Sequence, residues 1–182
     1  EAKDIKVVMY AGGLHERYGL KKLTEAFMML PQENFRLKLF GSGPFVEKLK
    51  TKYTKKDSRI QYMGVAPNAE VVAAELDASL LVNPRPTHEE FTKYSFPSKN
   101  IEYMASGTPL LTTKLPGMPK EYYPYVFLIE NESVEGYAKA LESVLAQSDE
   151  ELYVFGEKAK DFVLEKKNSF EQAKRVIELI KL

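Results

Sequence analysis

The chain alternates between two hydrophobic periods. Short, nearly unbroken or alternating apolar runs occur at Ile5–Ala11, Phe35–Phe40, Ile60–Gly64, Ala78–Pro84, Pro109–Thr113 and Val126–Ile129, each of strand length. Between them, apolar positions recur three and four apart. Leu20, Leu23, Phe27 and Leu30 line one face of a helix that Pro31 ends, further helices are expected from about Phe45 to Tyr53 and over Val71–Leu76, and a short helix is expected between Pro97 and Gly107. Beyond Glu130 the pattern is helical. Val134, Tyr137, Ala138, Leu141 and Val144 form one stripe, and Ser148 with Glu151 and Ser169 with Gln172 have capping-box spacing. Phe170, Ala173, Ile177 and Ile180 give the last helix an apolar side, which we expect to be an unfinished interface. Strands alternating with amphipathic helices predict one α/β domain over residues 1–182: a six-stranded parallel sheet with helices on both faces. No internal repeat, low-complexity segment or interdomain linker interrupts it.

The strand exits carry the turn residues Gly12-Gly13, Gly41-Ser42-Gly43, Gly64, Asn83-Pro84 and Gly117. In parallel sheets ligands sit beyond the carboxyl ends of the strands, so these exits predict a rim where backbone comes close to a ligand. The stretch Tyr94–Pro109 enters a helix through Pro97, with Ser95 or Ser98 as cap, and leaves it through Gly107. Lys99 in the first turn opposes the helix dipole and so points to a bound anion, since free N–H groups also converge there. A capped, buried helix with a solvated lysine and glutamate fits the same pattern.

Composition narrows the options. Lys+Arg and Asp+Glu are 26 each, so a nucleic-acid footprint is not expected. The run Lys48, Lys50, Lys52, Lys55, Lys56 alternates with apolar residues and reads as a solvated helix face. Cysteine is absent, which removes disulfides and thiolate chemistry and fits a reducing compartment. No apolar run reaches the length of a membrane span and none has a signal-peptide layout, so a cytoplasmic location is expected. Because the chain opens on Glu1 directly before a buried-type strand, we expect a fragment or an excised domain.

Taken in order, Tyr10–Leu14 with Tyr18-Gly19-Leu20, Phe40–Pro44, Met63-Gly64 and above all Ser95–Pro109 resemble a known family. It is the C-terminal, donor-binding half of the GT-B glycosyltransferases of family 4, also called glycosyl transferases group 1, in its bacterial surface-polysaccharide subgroup. The likeness runs from about Val7 to Lys181 and implies a Rossmann-like fold. It implies that Glu102, the second glutamate of an E-x₇-E signature, hydrogen-bonds the nucleotide ribose, and that Gly64 and Val65 meet the nucleobase. Gly12 and Gly13 would let the first loop lie against the diphosphate, which Ser98 and Lys99 would hold at the helix start, and Gly41 and Gly43 would be further residues of the nucleotide-sugar site. The implied substrate is a nucleoside diphosphate sugar, with no cofactor and no metal. The acceptor, a glycan or lipid-linked glycan, would be met through an N-terminal domain outside this chain. The resemblance leaves room for peripheral association of the full-length enzyme with the inner face of the membrane.

This sequence also departs from the family. Tyr94 stands where the first signature glutamate faces the donor sugar, which makes Tyr94, Lys99 and Glu102 the candidate catalytic set, with Glu89 and Glu90 as nearby substitutes. The family's first-loop arginine is Gly13 here and its lysine is Tyr18, so diphosphate charge would rest on Arg17, Lys99 and Arg85. A nucleotide-sugar epimerase on the same scaffold would need a cleft histidine, for which His15 is the candidate. A non-catalytic nucleotide-binding or interaction module is the reading of a different class. His15 and His88 each adjoin a glutamate but lack metal-ligand spacing. Tyr122-Tyr123-Pro124-Tyr125 reads as turn packing, with a glycan-facing platform as the other reading.

Overall fold

The computed structural model describes residues 4–94 and 98–167. The six strands are β1 (Lys6–Ala11), β2 (Phe35–Phe40), β3 (Ile60–Gly64), β4 (Leu80–Asn83), β5 (Leu110–Thr113) and β6 (Phe127–Ile129). They pair in parallel in the order β3-β2-β1-β4-β5-β6. The helices are α1 (Leu20–Met28), α2 (Phe45–Lys48), α3 (Thr54–Lys56), α4 (Asn68–Asp77), α5 (Ser98–Ser106), α6 (Val134–Leu145) and α7 (Asp149–Lys166). The expected three-layer architecture is the observed one.

Strand parity decides the layers, because successive side chains point to opposite faces. Val8 and Tyr10 of β1, with Leu37, Leu39, Leu80, Val82 and Leu111, pack under α1, α2 and α6 through Leu23, Phe27, Phe45, Tyr137 and Leu141. Met9 and Ala11, with Phe40, Leu81 and Leu110, pack under α5 and α7 through Tyr103, Met104, Ala159 and Val163. Helix α6 starts at Ser133, whose Oγ accepts from the Gly136 N–H at 3.0 Å. Helix α7 starts in the expected capping box of Ser148 and Glu151.

Two local readings change. The helix expected from Phe45 to Tyr53 runs on as α2, a π turn over Leu49–Tyr53, and α3. Phe45, Leu49 and Tyr53 stay buried throughout while Lys50, Lys52, Lys55 and Lys56 face solvent. The Tyr122–Tyr125 segment is a 3₁₀ turn over Lys120–Tyr125 that packs on α7: Tyr122 meets Phe162 edge-on at 5.2 Å and Tyr125 stacks on it at 4.2 Å. The Ser169–Gln172 box and the apolar side of the last helix lie outside the described residues.

The glycine exits share one edge, and the backbone there is knitted together. The Gly12 N–H donates to Phe40 O at 3.0 Å, Gly41 N–H to Gly64 O at 2.8 Å, and Leu14 N–H to Ser42 O at 2.8 Å. The β2–β3 register slips by one residue between Leu39 and Phe40, which brings Gly64 rather than Met63 opposite Phe40. Gly41 has φ +127, and a Cβ there would stand 1.9 Å from Gly12 O. Gly41→Ala is therefore expected to destabilise the fold by about 2–4 kcal/mol through forced displacement of the first loop. Urea unfolding measures this, and wild-type stability would mean that the two loops part without cost.

Candidate functional site

The site grows from the junction of β1 and α5. Tyr103 of α5 is fully buried, and its hydroxyl accepts from the Ala11 N–H at 2.9 Å and donates to Ala11 O at 3.2 Å. Burial holds this phenol well above its ordinary pKa, so it keeps its proton. Asn100 anchors the first turn of α5. Its Oδ1 accepts from Asn83 Nδ2 at 2.6 Å, and its Nδ2 faces Thr112 Oγ1 at 3.4 Å. With the helix pinned at both positions, Lys99 lies along the Tyr103 ring, Nζ 5.1 Å from the centroid. A Cβ on Gly12 would sit 3.2 Å from Lys99 Cε, so the lysine stem runs against the first loop. Lys99 Nζ is 3.8 Å from Glu102 Oε2, and the Glu102 side chain is 49% exposed. Thus Gly12, Lys99 and Glu102 come together at the carboxyl edge.

The other expected residues fall around them in different ways. Ser98 opens α5 and is exposed, while Ser95, Phe96 and Pro97 lie outside the described residues. Gly64 adopts φ +77 with nothing within 4 Å of a Cβ position, and Val65 beyond it is exposed, so this corner of the rim is open. Gly41 and Gly43 have a reason to be glycine that needs no ligand, because Cβ atoms there would strike Gly12 O at 1.9 Å and Leu14 O at 2.4 Å. Tyr94 is 84% exposed and, among the described residues, makes no side-chain hydrogen bond or ring contact. Glu89 sits 3.9 Å from His88 Nε2, and Glu90 is exposed. His15 packs on Tyr18 with ring centroids 5.0 Å apart.

Sequence reasoning underrated the loop after β4. Arg85 lies over Tyr18 at 4.9 Å and Phe91 at 5.8 Å, and Arg17 reaches the same rings at 5.3 and 5.7 Å. Main-chain groups on both sides of Arg85 are tied down from afar. Pro84 O accepts from the Tyr137 hydroxyl at 2.8 Å, and Arg85 O accepts from Thr113 Oγ1 at 2.5 Å. The Thr87 N–H and hydroxyl both donate to the Glu132 carboxylate, at 3.1 and 2.5 Å. Gly19, at φ +83, allows α1 to start against this loop, because a Cβ there would stand 1.8 Å from Pro84 O. The only signal along the chain was the Asn83-Pro84-Arg85-Pro86 turn at a strand exit.

A second surprise is Glu75 on α4, which is 1% exposed with its Oε1 unpartnered. Burial raises its carboxyl above the usual range, the Glu102 carboxylate adds to this, and Lys99 opposes it. An acid raised in the folded state costs stability once pH passes its unfolded pKa, and costs nothing below that point. Glu75→Gln should therefore raise the melting temperature at neutral pH, by about 2–4 °C for a chain of this size, and the gain should vanish in acid. A pH series of melting curves checks this. A gain equal at every pH would show that packing, not ionisation, is responsible.

The rim, sheet order and paired helices can now be set beside known proteins. Residues 1–162 match the sequence profile of the glycosyl transferases group 1. The chain belongs to that family. Within the glycosyl transferases group 1, it is 30% identical over 112 residues to the putative colanic acid biosynthesis glycosyltransferase WcaL of Escherichia coli strain K12, which covers 59% of this chain and 27% of WcaL. The chain therefore spans about a quarter of the length of the curated relatives it matches. The C-terminal domain of the group 1 protein LpcC from Francisella tularensis superposes with a TM-score of 0.73 at 18% identity, over 91% of this chain and 87% of that one. Anabaena Alr3699/HepE, solved with UDP and glucose, superposes with a TM-score of 0.76 at 15% identity, over 98% of this chain and 48% of that one. These likenesses show the fold: this group 1 chain is a GT-B-type α/β domain.

Proposed function

We propose that this domain holds the nucleoside diphosphate sugar of a retaining hexosyltransferase, which passes the sugar to a glycan or lipid-linked acceptor during surface-polysaccharide synthesis. The observation that carries the reading is the meeting of Gly12, Lys99 and Glu102 at the carboxyl edge of the sheet in a group 1 chain. WcaL supports the pathway class, and HepE, with UDP and glucose, supports the ligand class.

In this reading the exposed Glu102 carboxylate accepts from the vicinal hydroxyls of the ribose. Lys99 lies 3.8 Å from Glu102 and, beside Gly12, faces the diphosphate. Gly64 and Val65 offer main-chain groups to the nucleobase at the open corner. Ser98 adds its hydroxyl and N–H at the start of α5. Charge that develops on the departing nucleoside diphosphate is stabilised by Lys99 and the first-loop N–H groups, which is electrostatic catalysis with no covalent intermediate on this domain. The sugar extends towards Tyr94, and the acceptor arrives from a further domain, so this chain by itself binds donor and transfers no sugar.

Calorimetric titration with the ribonucleoside diphosphates and their parent nucleosides tests the assignment part by part. Glu102→Gln should weaken binding of the preferred nucleoside diphosphate by about 1–3 kcal/mol, because a charge-assisted hydrogen bond becomes a neutral one. Lys99→Ala should weaken the diphosphate but not the nucleoside, and Tyr94→Ala should leave both unchanged. A folded Glu102→Gln protein that binds like wild type would overturn the ribose assignment.

A further inference from the structure

Resting on that donor-site reading, we propose that Arg85, presented by the loop after β4, is the principal guanidinium ligand of the donor's diphosphate. The first loop supplies little charge of its own, since residues 12–19 contain a single cation, the exposed Arg17. Lys99 is partly compensated by Glu102 at 3.8 Å. Arg85 has no such compensation: among the described residues its guanidinium makes no ion pair and no hydrogen bond, and its Nε is buried without a partner. The residue is half-buried, and a buried N–H left without an acceptor is costly until one arrives to meet it.

The position of Arg85 is fixed in advance. Pro84 O, Arg85 O and the Thr87 N–H are each held by a side chain from a distant part of the chain, which fixes the main chain on both sides of the arginine. The guanidinium lies 4.9 Å from the centroid of Tyr18, and the Tyr18 ring borders Gly13, whose Cβ position is 3.2 Å from Tyr18 Cε2. Tyr10, whose hydroxyl donates to Gly13 O at 3.0 Å, feels the same charge: burial pushes its phenol up to about 12, and Arg85 pulls the other way. Lys99 borders Gly12, and Arg85 lies over the ring that borders Gly13. A two-phosphate group on the Gly12-Gly13 backbone would thus find one cation near each glycine. The planar fork of arginine suits phosphate oxygens better than a point charge does. Bringing Arg17 to the same two rings adds repulsion that a bound anion removes.

The test uses the 182-residue chain with three probes: the four common ribonucleoside diphosphates, the matching nucleosides and inorganic pyrophosphate. Arg85→Ala should weaken pyrophosphate and the preferred nucleoside diphosphate by about tenfold to a hundredfold and leave the nucleoside unchanged. Arg85→Lys should recover only part of the loss. Arg85→Gln, which keeps the first part of the stem and a polar, uncharged end, should show the same loss with a wild-type melting curve, so a folding defect in the alanine variant cannot imitate it. Lys55→Ala, on the remote basic face, should change nothing. Wild-type affinity for pyrophosphate and nucleoside diphosphate in both Arg85→Ala and Arg85→Gln would overturn the proposal, as would failure of the wild-type chain to bind either probe. If pyrophosphate binds in an Arg85-dependent way and no nucleotide does, the anion site stands and the donor reading falls.

Discussion

Everything at the carboxyl edge depends on one buried hydroxyl. Tyr103 both gives a hydrogen bond to and receives one from the main chain of Ala11, the last residue of β1. That residue is followed at once by Gly12-Gly13, so the two bonds set the distance between the first loop and α5. The same helix carries Lys99 and Glu102, one turn apart. Two polar main-chain groups buried at a strand end would each cost about 1–3 kcal/mol if left without partners. The phenol therefore satisfies the strand and aligns the helix in a single contact. Position 103 also contributes its ring, over which the Lys99 ammonium lies.

Much of the fold was legible along the chain because the relevant forces are local. Parity along β1, with Val8 and Tyr10 on one face and Met9 and Ala11 on the other, follows from backbone geometry alone. The capping box at Ser148 is closed by a residue three positions later. The exit glycines were legible as special positions but not as to cause. Gly41 and Gly43 look like ligand-facing residues in sequence, yet the first loop itself lies against them. What could not be read was long-range. Nothing near Arg85 in sequence shows that Tyr137, Thr113 and Glu132 would immobilise its loop. Nor does the pattern of α4 show that Glu75, rather than an apolar neighbour, would be the residue enclosed.

Away from the rim, two ion pairs among the described residues brace the surface: Arg59 grips Asp57 at 2.7 Å and Lys48 grips Glu16 at 2.7 Å. Arg59 also donates to Leu30 O and Gln32 O, so its role there is to brace loops. Nearer the rim two buried polar atoms are left without a hydrogen-bond partner, Arg85 Nε and Glu75 Oε1, and the Glu75 carboxyl feels both Lys99 and Glu102.

The sheet order has a further consequence. Strands β1 to β3 and their helices form one contiguous run of chain, β4 to β6 with theirs form another, and among the described residues the sheet joins them where β1 pairs with β4, at Val8 with Leu80 and Met9 with Leu81. Gly12, Gly13 and Tyr18 belong to the first run; Arg85, Lys99 and Glu102 belong to the second. An anion held between them would bridge the seam and add its binding free energy to the strand pairing with the fewest paired residues. Ligand occupancy and the cohesion of the two half-sheets would then be one equilibrium, visible as slowed amide exchange along β1 and β4.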